Sequence, residues 1–332
     1  MAEGTKRIMR AEDGHELAMR ALGNLGFDAE QSGIIADHLI DAELCGYTFA
    51  GLPRILTLAE DPRTAKGRSP ISVIHETAIS LLLDGGNNVG YYALHRATES
   101  AIRKAHDAGV AIVGLHNTYM TGRITHYLEK VARADLVGFQ MASAPPVVLP
   151  LGGVRPALGT NPIALGFPSD RGPVVFDMGT ASIMLGELLL HAKLDRELPE
   201  GVAIDGRGQP TRVASEALQG GVLPFGAHKG YGLSFAIQAL CLLGGAARSS
   251  GQVQDFGHLL VIFKPDLLMP AEQFKKQVDE LIERVKSTPL RSGHSEILIP
   301  SERAFRERAR RQTEGFELET AVYEKLQALA TL

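Results

Sequence analysis

The chain of 332 residues is 45% apolar and 22% charged, which is typical of a soluble globular protein long enough for two or three lobes. A net charge of −4 with both signs dispersed argues against a nucleic-acid partner, and the short, interrupted apolar runs argue against a membrane partner. Cys45 and Cys241 have no metal-ligand spacing and form no disulfide framework, and the N-terminus has no apolar signal segment. We therefore expect a cytoplasmic protein without a bound metal.

Two helices are predicted between residues 10 and 45. In "GHELAMRALGNLGF" apolar side chains recur on one face until Gly26 ends the pattern. Asp28 is placed to cap a second helix, "AEQSGIIADHLIDAELCG", which Gly46 terminates. The chain therefore begins with a helical region.

Strands and helices alternate from residue 71 to residue 142. "ISVIHE" and "AISLLLDGG" predict strands that close in a glycine turn, and "YYALHRATESAIRKAHDAG" predicts a helix that ends at Gly109. "VAIVGLH" predicts a buried strand, residues 123–134 a helix, and "LVGFQMAS" another strand. This alternation predicts an α/β layer structure.

Glycine and proline are dense from residue 143 to residue 226, where the strand-like segments "IALGFP" and "PVVFDM" interrupt them. Beyond this region the pattern predicts a helix in "YGLSFAIQALCLLGGAA", a strand in "HLLVIFKPD", and an amphipathic helix over 270–287. The tail, 300–332, is charged and predicted to be helical. The region 143–226 therefore supplies tight turns and close backbone approach to something bound.

The polar stretch "GLHNTYMTGRITHY" directly follows the buried strand "VAIVG" and includes His116, Asn117 and Tyr119. Such a cluster at a strand end is a candidate substrate-facing loop. The dinucleotide fingerprint G-x-G-x-x-G is missing, since "DGRGQP" has Gly206 and Gly208 but no third glycine. A Rossmann domain is therefore not expected.

Two further segments combine turns with hydrogen-bonding groups. In "LGTNPIALGFP" Thr160 and Asn161 lie between glycine and proline, where they bind either their own backbone or a ligand. In "FDMGTASI" a strand ends at Asp177 and a helix is predicted to start at Thr180 and Ser182. Its free N–H groups would suit a phosphate or carboxylate, or the start is an ordinary capped helix.

A third segment, "FGAHKGYGLSFAIQAL", places His228 and Lys229 between glycines at the start of an apolar helix. A cationic pair there would neutralise a phosphate or a substrate carboxylate. The alternative is a solvated turn.

The motifs "GTNP", D-x-x-T-x-S and "HKGYGL" follow one another in the order found in the malate/L-lactate dehydrogenase family, and the chain resembles that family. This family includes ureidoglycolate and sulfolactate dehydrogenases, diketogulonate reductase and piperideine-2-carboxylate reductases. "ADHLIDAELCG", "LPEGVAIDGRGQPT" and "ILIPSERAFRERARR" extend the resemblance over nearly the whole chain. It implies an α/β, non-Rossmann fold, a small carboxylate substrate, NAD or NADP as cofactor, and a homodimer.

The resemblance also implies four segments. Residues 1–70 form an N-terminal helical region, and 71–142 an α/β segment with the substrate-facing loop. Residues 143–265 form a central cofactor-binding lobe, and 266–332 a helical segment that packs back on the first lobe. The cofactor-binding residues implied are Thr118, Asn161, Phe176, Asp177, Met178, Gly179, Thr180, Ala181, Ser182, His228, Lys229, Ser301, Glu302 and Arg303.

The two catalytic histidines of the family are replaced in this chain. The family reads G-x-x-S-H-G-x-x-R after the second helix, whereas this chain has "GYTFAGLPR" with Phe49 and Ala50 in place of Ser-His. The family then reads about R-N-S-x-H-x-G, whereas "HNTYMTG" places Met120 at the histidine position. The frequent lysine after a later glycine is also absent, since Glu187 stands there. Neither alanine nor methionine transfers a proton.

The sequence leaves two functions open. The first is an NAD(P)-dependent oxidoreductase for a small 2-oxo or 2-hydroxy acid or a cyclic imino acid, because a protonated imine brings its own proton. Its catalytic residues would be Arg54 as carboxylate clamp and Asn117, with the proton role in His116, Tyr119 or His126. The second is a protein of the same fold that lost dehydrogenase chemistry and acts as a lyase, an isomerase or a binding protein.

Overall fold

A mixed β-sheet forms the centre of the structure, a computed structural model that describes residues 5–248, 251–253 and 255–331. The strands are β1 Lys6–Met9, β2 Ser72–Glu76, β3 Ser80–Val89, β4 Val110–Tyr119, β5 Val137–Ser143, β6 Ile163–Phe167, β7 Val174–Met178, β8 Ala203–Ile204, β9 Gly221–Val222, β10 Gly257–Phe263 and β11 Phe316–Glu319. Seven of them form the central sheet in the order β2-β3-β4-β10-β5-β6-β7, in which only the β3–β4 pair is parallel.

The helices cover both faces of this sheet and form a separate helical region. They are α1 Ala11–Asn24, α2 Ala29–Leu44, α3 Pro53–Glu60, α4 Gly90–Ala108, α5 Thr125–Arg133, α6 Leu185–Lys193, α7 Ala214–Ala217, α8 His228–Leu243, α9 Ala271–Lys286, α10 Glu302–Glu314 and α11 Thr320–Ala330. Within the part of the chain that the structure describes, none of these helices has the length and apolar character needed to cross a membrane.

The alternation of side chains along β10 separates two apolar layers. Leu260 and Ile262 belong to the core under α4 and α5, whereas Leu259 packs on the opposite face with Ile237 and Cys241 of α8. Successive residues of a strand point to opposite faces of the sheet, and both faces of β10 are therefore buried. The sheet thus holds α8 on one side and the α4–α5 layer on the other.

The two helices predicted between residues 10 and 45 form as α1 and α2. Asp28 caps α2 by accepting a hydrogen bond from the backbone N–H of Gln31 at 2.8 Å, and the Gln31 side chain completes a capping box. Gly109 ends α4 in the left-handed conformation, with φ of 85°. The region is closed by a pairing that local patterns do not predict, β1 with β11.

Three predicted boundaries are wrong. The second strand does not close at Gly85 and Gly86. The Asp84 carboxylate accepts the Gly86 N–H at 2.7 Å within a local irregularity, and β3 then continues to Val89 because Asn88 and Val89 pair with β4 again. The charged tail is not wholly helical, since β11 separates α10 from α11.

The third wrong boundary is the helix start at Thr180 and Ser182, because α6 begins at Leu185. The Thr180 N–H donates to the Thr160 carbonyl, and the Ser182 N–H donates to the Leu223 carbonyl, both at 2.9 Å. These N–H groups are therefore occupied by neighbouring loops and offer no anion site.

Candidate active site

Two adjoining cavities lie where the helical region meets the carboxyl end of β7 and the segment after β4. We name them the Phe176 cavity, of about 520 Å³, and the Arg54 cavity, of about 390 Å³. They share five lining residues, Phe49, Ala50, Gly122, Pro162 and Met184. A molecule in one cavity would therefore lie beside a molecule in the other.

The Phe176 cavity is built from segments far apart in sequence. Its further lining residues are Tyr47, Arg123, Ile124, Thr125, Val175, Phe176, Asp177, Met178, Gly179, Leu298, Ile299, Pro300 and Ser301. Each of the four predicted segments of the chain thus contributes to its wall. Of the cofactor-binding residues implied by the resemblance, the structure brings Phe176, Asp177, Met178, Gly179 and Ser301 together here.

Hydrogen bonds fix two polar groups in this wall. The Asp177 carboxylate accepts the N–H of Thr125 at 3.2 Å and its hydroxyl at 2.8 Å, and burial raises the pKa of Asp177. The Ser301 hydroxyl donates to the Val175 carbonyl at 2.5 Å, with Ser301 in the left-handed region at φ of 63°. The wall is therefore held rigidly at both ends of the cavity.

Arg123 reaches this cavity from a buried ionic cluster that the sequence analysis missed. Its guanidinium forms an ion pair with Asp41 of α2, and it lies 3.5 Å from the Glu129 carboxylate. Arg308 of α10 also contacts Asp41, at 2.9 Å, and forms a bidentate pair with Glu129. Three helices are therefore joined behind the cavity.

The charges of this cluster lower the pKa of Asp41. Burial alone would raise that pKa, but a hydrogen bond from His126 and the charges of Arg123 and Arg308 hold it well below its usual range. Nδ1 of His126 lies 3.2 Å from the Asp41 carboxylate. His38 accepts the Arg123 backbone N–H at 2.9 Å, and burial lowers the pKa of His38. His126 is thus engaged in the cluster.

One face of α3 supplies the polar side of the Arg54 cavity. Arg54 and Thr57 lie three residues apart on α3, Asp61 directly follows the helix, and all three line the cavity. The Arg54 side chain makes no ion pair with any residue that the structure describes. A half-buried guanidinium without a carboxylate partner is a candidate anion-binding group.

The remaining wall of the Arg54 cavity is mainly apolar or small. Its further lining residues are Tyr91, Met120, Thr121, Ala142, Ser143, Ala144, Pro145, Val147, Thr160, Leu185, Gly186, Leu189 and Phe256. Gly122 is required at the boundary, since it has φ of 71° and an added Cβ would lie 2.3 Å from the Tyr91 ring. Ala50 and Met120, the two positions at which the sequence resemblance implies histidines, both line this cavity.

The short 3-10 helix Thr48–Ala50 carries Phe49 and Ala50 into both cavities. Behind it the Glu43 carboxyl accepts the N–H of Leu52 at 2.8 Å, and a Cβ on Gly51 would lie 2.2 Å from that carboxyl. A buried carboxyl group therefore sets the position of this turn.

The residues at the end of β4 are used within the fold rather than at the cavities. The Asn117 amide donates to Asp84 at 2.7 Å, the Thr118 hydroxyl donates to the Asn88 carbonyl at 2.7 Å, and the Tyr119 hydroxyl lies 3.1 Å from that of Thr64. None of Asn117, Thr118 and Tyr119 lines either cavity.

His116 likewise lines neither cavity. It is buried against Gly245, where an added Cβ would lie 2.5 Å from the His116 ring. Burial lowers the pKa of His116. This candidate acid therefore does not line the cavity that Arg54 lines.

The other implied cofactor-binding residues take three kinds of position. Asn161 is buried and donates to the Ser234 carbonyl and the Gln238 side chain, both at 3.0 Å, which holds α8 against the sheet. Thr180, Ala181 and Ser182 directly follow the lining residue Gly179 but line neither cavity, and His228 and Lys229 are exposed at the start of α8. The Glu302 carboxylate accepts a hydrogen bond from the Lys286 ammonium, and Cζ of Arg303 lies 5.4 Å from the centroid of the Tyr47 ring.

This architecture is that of solved malate and sulfolactate dehydrogenases. The sulfolactate dehydrogenase from Methanocaldococcus jannaschii superposes with a TM-score of 0.84 at 32% identity, over 98% of this chain and 97% of that chain. The malate dehydrogenase from Pyrococcus horikoshii gives a TM-score of 0.87 at 27% identity, over 100% of this chain and 97% of that chain.

The sequence comparisons give the family. The malate/(S)-sulfolactate dehydrogenase of Methanothermus fervidus is 35% identical over 97% of both chains. The Delta(1)-pyrroline-2-carboxylate/Delta(1)-piperideine-2-carboxylate reductase of Pseudomonas putida is 31% identical over 70% of both chains. The family described as malate/L-lactate dehydrogenase matches residues 9–327, and the chain belongs to it. The resemblance drawn from the sequence motifs is therefore confirmed.

Proposed function

We propose that this protein is a nicotinamide-dependent oxidoreductase that reduces C2 of a small 2-oxo acid or cyclic imino acid, or catalyses the reverse oxidation. The observation that carries the proposal is the pair of joined cavities, one with the Phe176–Gly179 wall and the other with Arg54. Their five shared residues would bring a cofactor and a substrate into contact. The relatives named as dehydrogenases and as a cyclic-imine reductase support this class of reaction.

The Phe176 cavity suits a nicotinamide dinucleotide, which would supply or accept the hydride. The buried Nε–H of Arg123 has no acceptor among the residues that the structure describes, and Arg123 lines this cavity. An oxygen atom of a bound cofactor would satisfy that donor. Phe176, Met178 and Ser301 would form the surrounding wall, and Asp177 would remain tied to Thr125.

In the Arg54 cavity, Arg54 would hold the substrate carboxylate in a bidentate pair. Ala50 and Met120 provide no proton at the positions of the family histidines. A protonated cyclic imine needs none, because hydride addition to its carbon yields the neutral amine directly. The replaced histidines therefore favour the imino acids over the 2-oxo acids within this proposal.

Cofactor binding is tested by nicotinamide-fluorescence titration with NADH and NADPH, together with thermal unfolding. A ligand at 100 times its dissociation constant adds roughly 2.7 kcal/mol of stability, which is easily measured. Arg54→Lys should leave this binding unchanged and raise KM for a cyclic imino acid, because an ammonium cannot form the bidentate pair. If millimolar NADH and NADPH both fail to protect the protein, the alternative of a lyase, an isomerase or a binding protein takes precedence.

We further propose a homodimer as the working form. Helix α8 exposes large apolar side chains, with Phe235 62% and Leu243 71% accessible. Exposed apolar surface of this kind is typical of an interface, and two-fold assembly is the commonest arrangement. Light scattering at micromolar concentration tests this, since a monomer would contradict it.

A further inference from the structure

We infer that the substrate carries one carboxylate and a bulky apolar substituent, and lacks the second acidic group of malate or sulfolactate. This inference rests on the proposed function, because it assigns the Arg54 cavity to the substrate. The juxtaposition that supports it is one unpaired guanidinium facing a wall that is otherwise largely apolar.

The charges of the Arg54 cavity allow one anionic group. Among its lining residues, Arg54 is the only cation, and it would be used by the substrate carboxylate. The only other charged lining residue is Asp61, whose carboxylate already accepts the Arg63 N–H at 2.8 Å. A second carboxylate or sulfonate would find no cation in the cavity and would be repelled by Asp61.

The wall away from α3 suits an apolar group. It includes Ala144, Val147, Leu189 and Phe256, which come from the chain after β5, from α6 and from the residue before β10. The hydroxyl of Ser143 donates to the Asp255 carbonyl at 2.8 Å and is not available to a substrate. An unpaired charge placed against such a wall is strongly disfavoured, whereas an alkyl or aromatic group is stabilised.

The size of the cavity agrees with this chemistry. Its volume of about 390 Å³ is within the range of sites that enclose drug-sized ligands, and it is larger than a four-carbon diacid requires. Phe49 and Met120 add apolar surface at positions where the family has a serine and a histidine. Both departures from the family pattern therefore make the Arg54 cavity more apolar.

The test compares phenylpyruvate and 4-methyl-2-oxopentanoate with oxaloacetate and 3-sulfopyruvate, on the intact protein with saturating NADPH or NADH. We expect kcat/KM for the apolar acids to exceed that for the diacids at least tenfold. The same order is expected for dissociation constants measured by calorimetry, which do not depend on proton donation. Because the comparison is a ratio, the missing histidines affect both classes of acid alike.

Two variants separate cavity charge from general charge effects. Leu189→Arg adds a cation to the cavity wall, and we expect it to raise kcat/KM for oxaloacetate relative to phenylpyruvate at least tenfold. Leu190→Arg adds the same charge one residue further along α6, outside the cavity lining, and should leave the ratio unchanged. Leu189→Met controls for the loss of the leucine.

The inference and the proposed function fail in different ways. Equal or tighter binding of oxaloacetate than of phenylpyruvate by the unmodified protein would overturn the inference, while leaving an oxidoreductase in place. Failure to bind or oxidise either cofactor would overturn the proposed function. Preferential binding of the apolar acids by calorimetry would still support the assignment of the cavity in that case.

Discussion

The carboxyl group of Glu43 in α2 accepts a hydrogen bond from the backbone N–H of Leu52, with 2.8 Å between Oε1 and N, directly behind the turn that carries Phe49 and Ala50. Its second oxygen has no partner among the described residues. Burial raises the pKa of Glu43 from 4.5 to about 8, although the Leu52 N–H and Arg311 act in the opposite direction. The folded protein therefore holds this carboxyl in its neutral form at pH 7.

Stability should fall as the pH rises through the interval between these two pKa values. From about pH 4.5 to pH 8 the unfolded chain releases a proton from Glu43 that the folded chain retains, so the stability present below the unfolded pKa is progressively lost. Glu43→Gln should reduce the pH-dependent change in the free energy of unfolding by roughly 3–5 kcal/mol. The amide keeps the acceptor for the Leu52 N–H but cannot ionise. Urea unfolding at pH 5 and pH 8.5 measures this change. If the free energy of unfolding changes equally between pH 5 and pH 8.5 in the variant and in the unmodified protein, Glu43 is not neutral in the folded state.

Local signals predicted most of the elements, because each depends on neighbouring residues. Asp28 with Gln31 forms a capping box, and Gly109 ends a helix, as their sequence positions indicate. The β1–β11 pairing could not be predicted in this way, since it joins residues such as Met9 and Phe316 across almost the whole chain. The local sequence of a short terminal strand does not indicate which other strand it pairs with.

The site was only partly predictable for a related reason. Arg54 and residues 176–179, which the sequence motifs single out, line the two cavities. The Arg123–Asp41 pair was missed, since charges on helices usually indicate a solvated face and only tertiary packing of α2, α5 and α10 buries these. The sequence feature that could have indicated Arg123 as a site residue is its position directly after Gly122, in the candidate substrate-facing loop.

The buried ionic cluster leads to a second prediction. We expect Arg123→Met to destabilise the protein by roughly 3–5 kcal/mol, because it leaves the buried Asp41 carboxylate without its closest cation. The matched control is Glu296→Gln, which breaks the exposed Arg306–Glu296 pair and should cost less than about 1 kcal/mol. Chemical unfolding at pH 7 measures both values. A similar cost for the two variants would mean that the cluster does not support the fold.

A third prediction concerns the turn between the two cavities. Phe49→Ser combined with Ala50→His introduces the Ser-His pair that the sequence resemblance implies for the family, at a turn that lines both cavities. We expect this double variant to raise the reduction of 2-oxo acids at least tenfold, because a positioned general acid contributes about 10²–10⁴-fold. The single variant Phe49→Ser is the control, since it opens the same space without supplying a proton donor.

The last prediction concerns Tyr91, a group with an exchangeable proton that lines the Arg54 cavity. Its hydroxyl is buried and has no hydrogen-bond partner among the described residues, and its ring meets that of His38 edge-on at 4.8 Å between centroids. Because His116 and Tyr119 lie outside the cavities and His126 is engaged with Asp41, we expect any reduction of 2-oxo acids by the unmodified protein to draw its proton from Tyr91.

Tyr91→Phe tests it while preserving the shape of the buried ring. The variant should lower kcat for 2-oxo acids by roughly tenfold or more and change kcat for a protonated cyclic imine by less than about threefold, because only the first reaction needs a proton from the protein. Steady-state kinetics with both substrate classes at saturating cofactor measures the difference, and thermal unfolding checks that the fold is retained. Equal losses for the two classes would indicate a packing role for Tyr91. An unchanged rate for both would mean that water supplies the proton at the alkoxide.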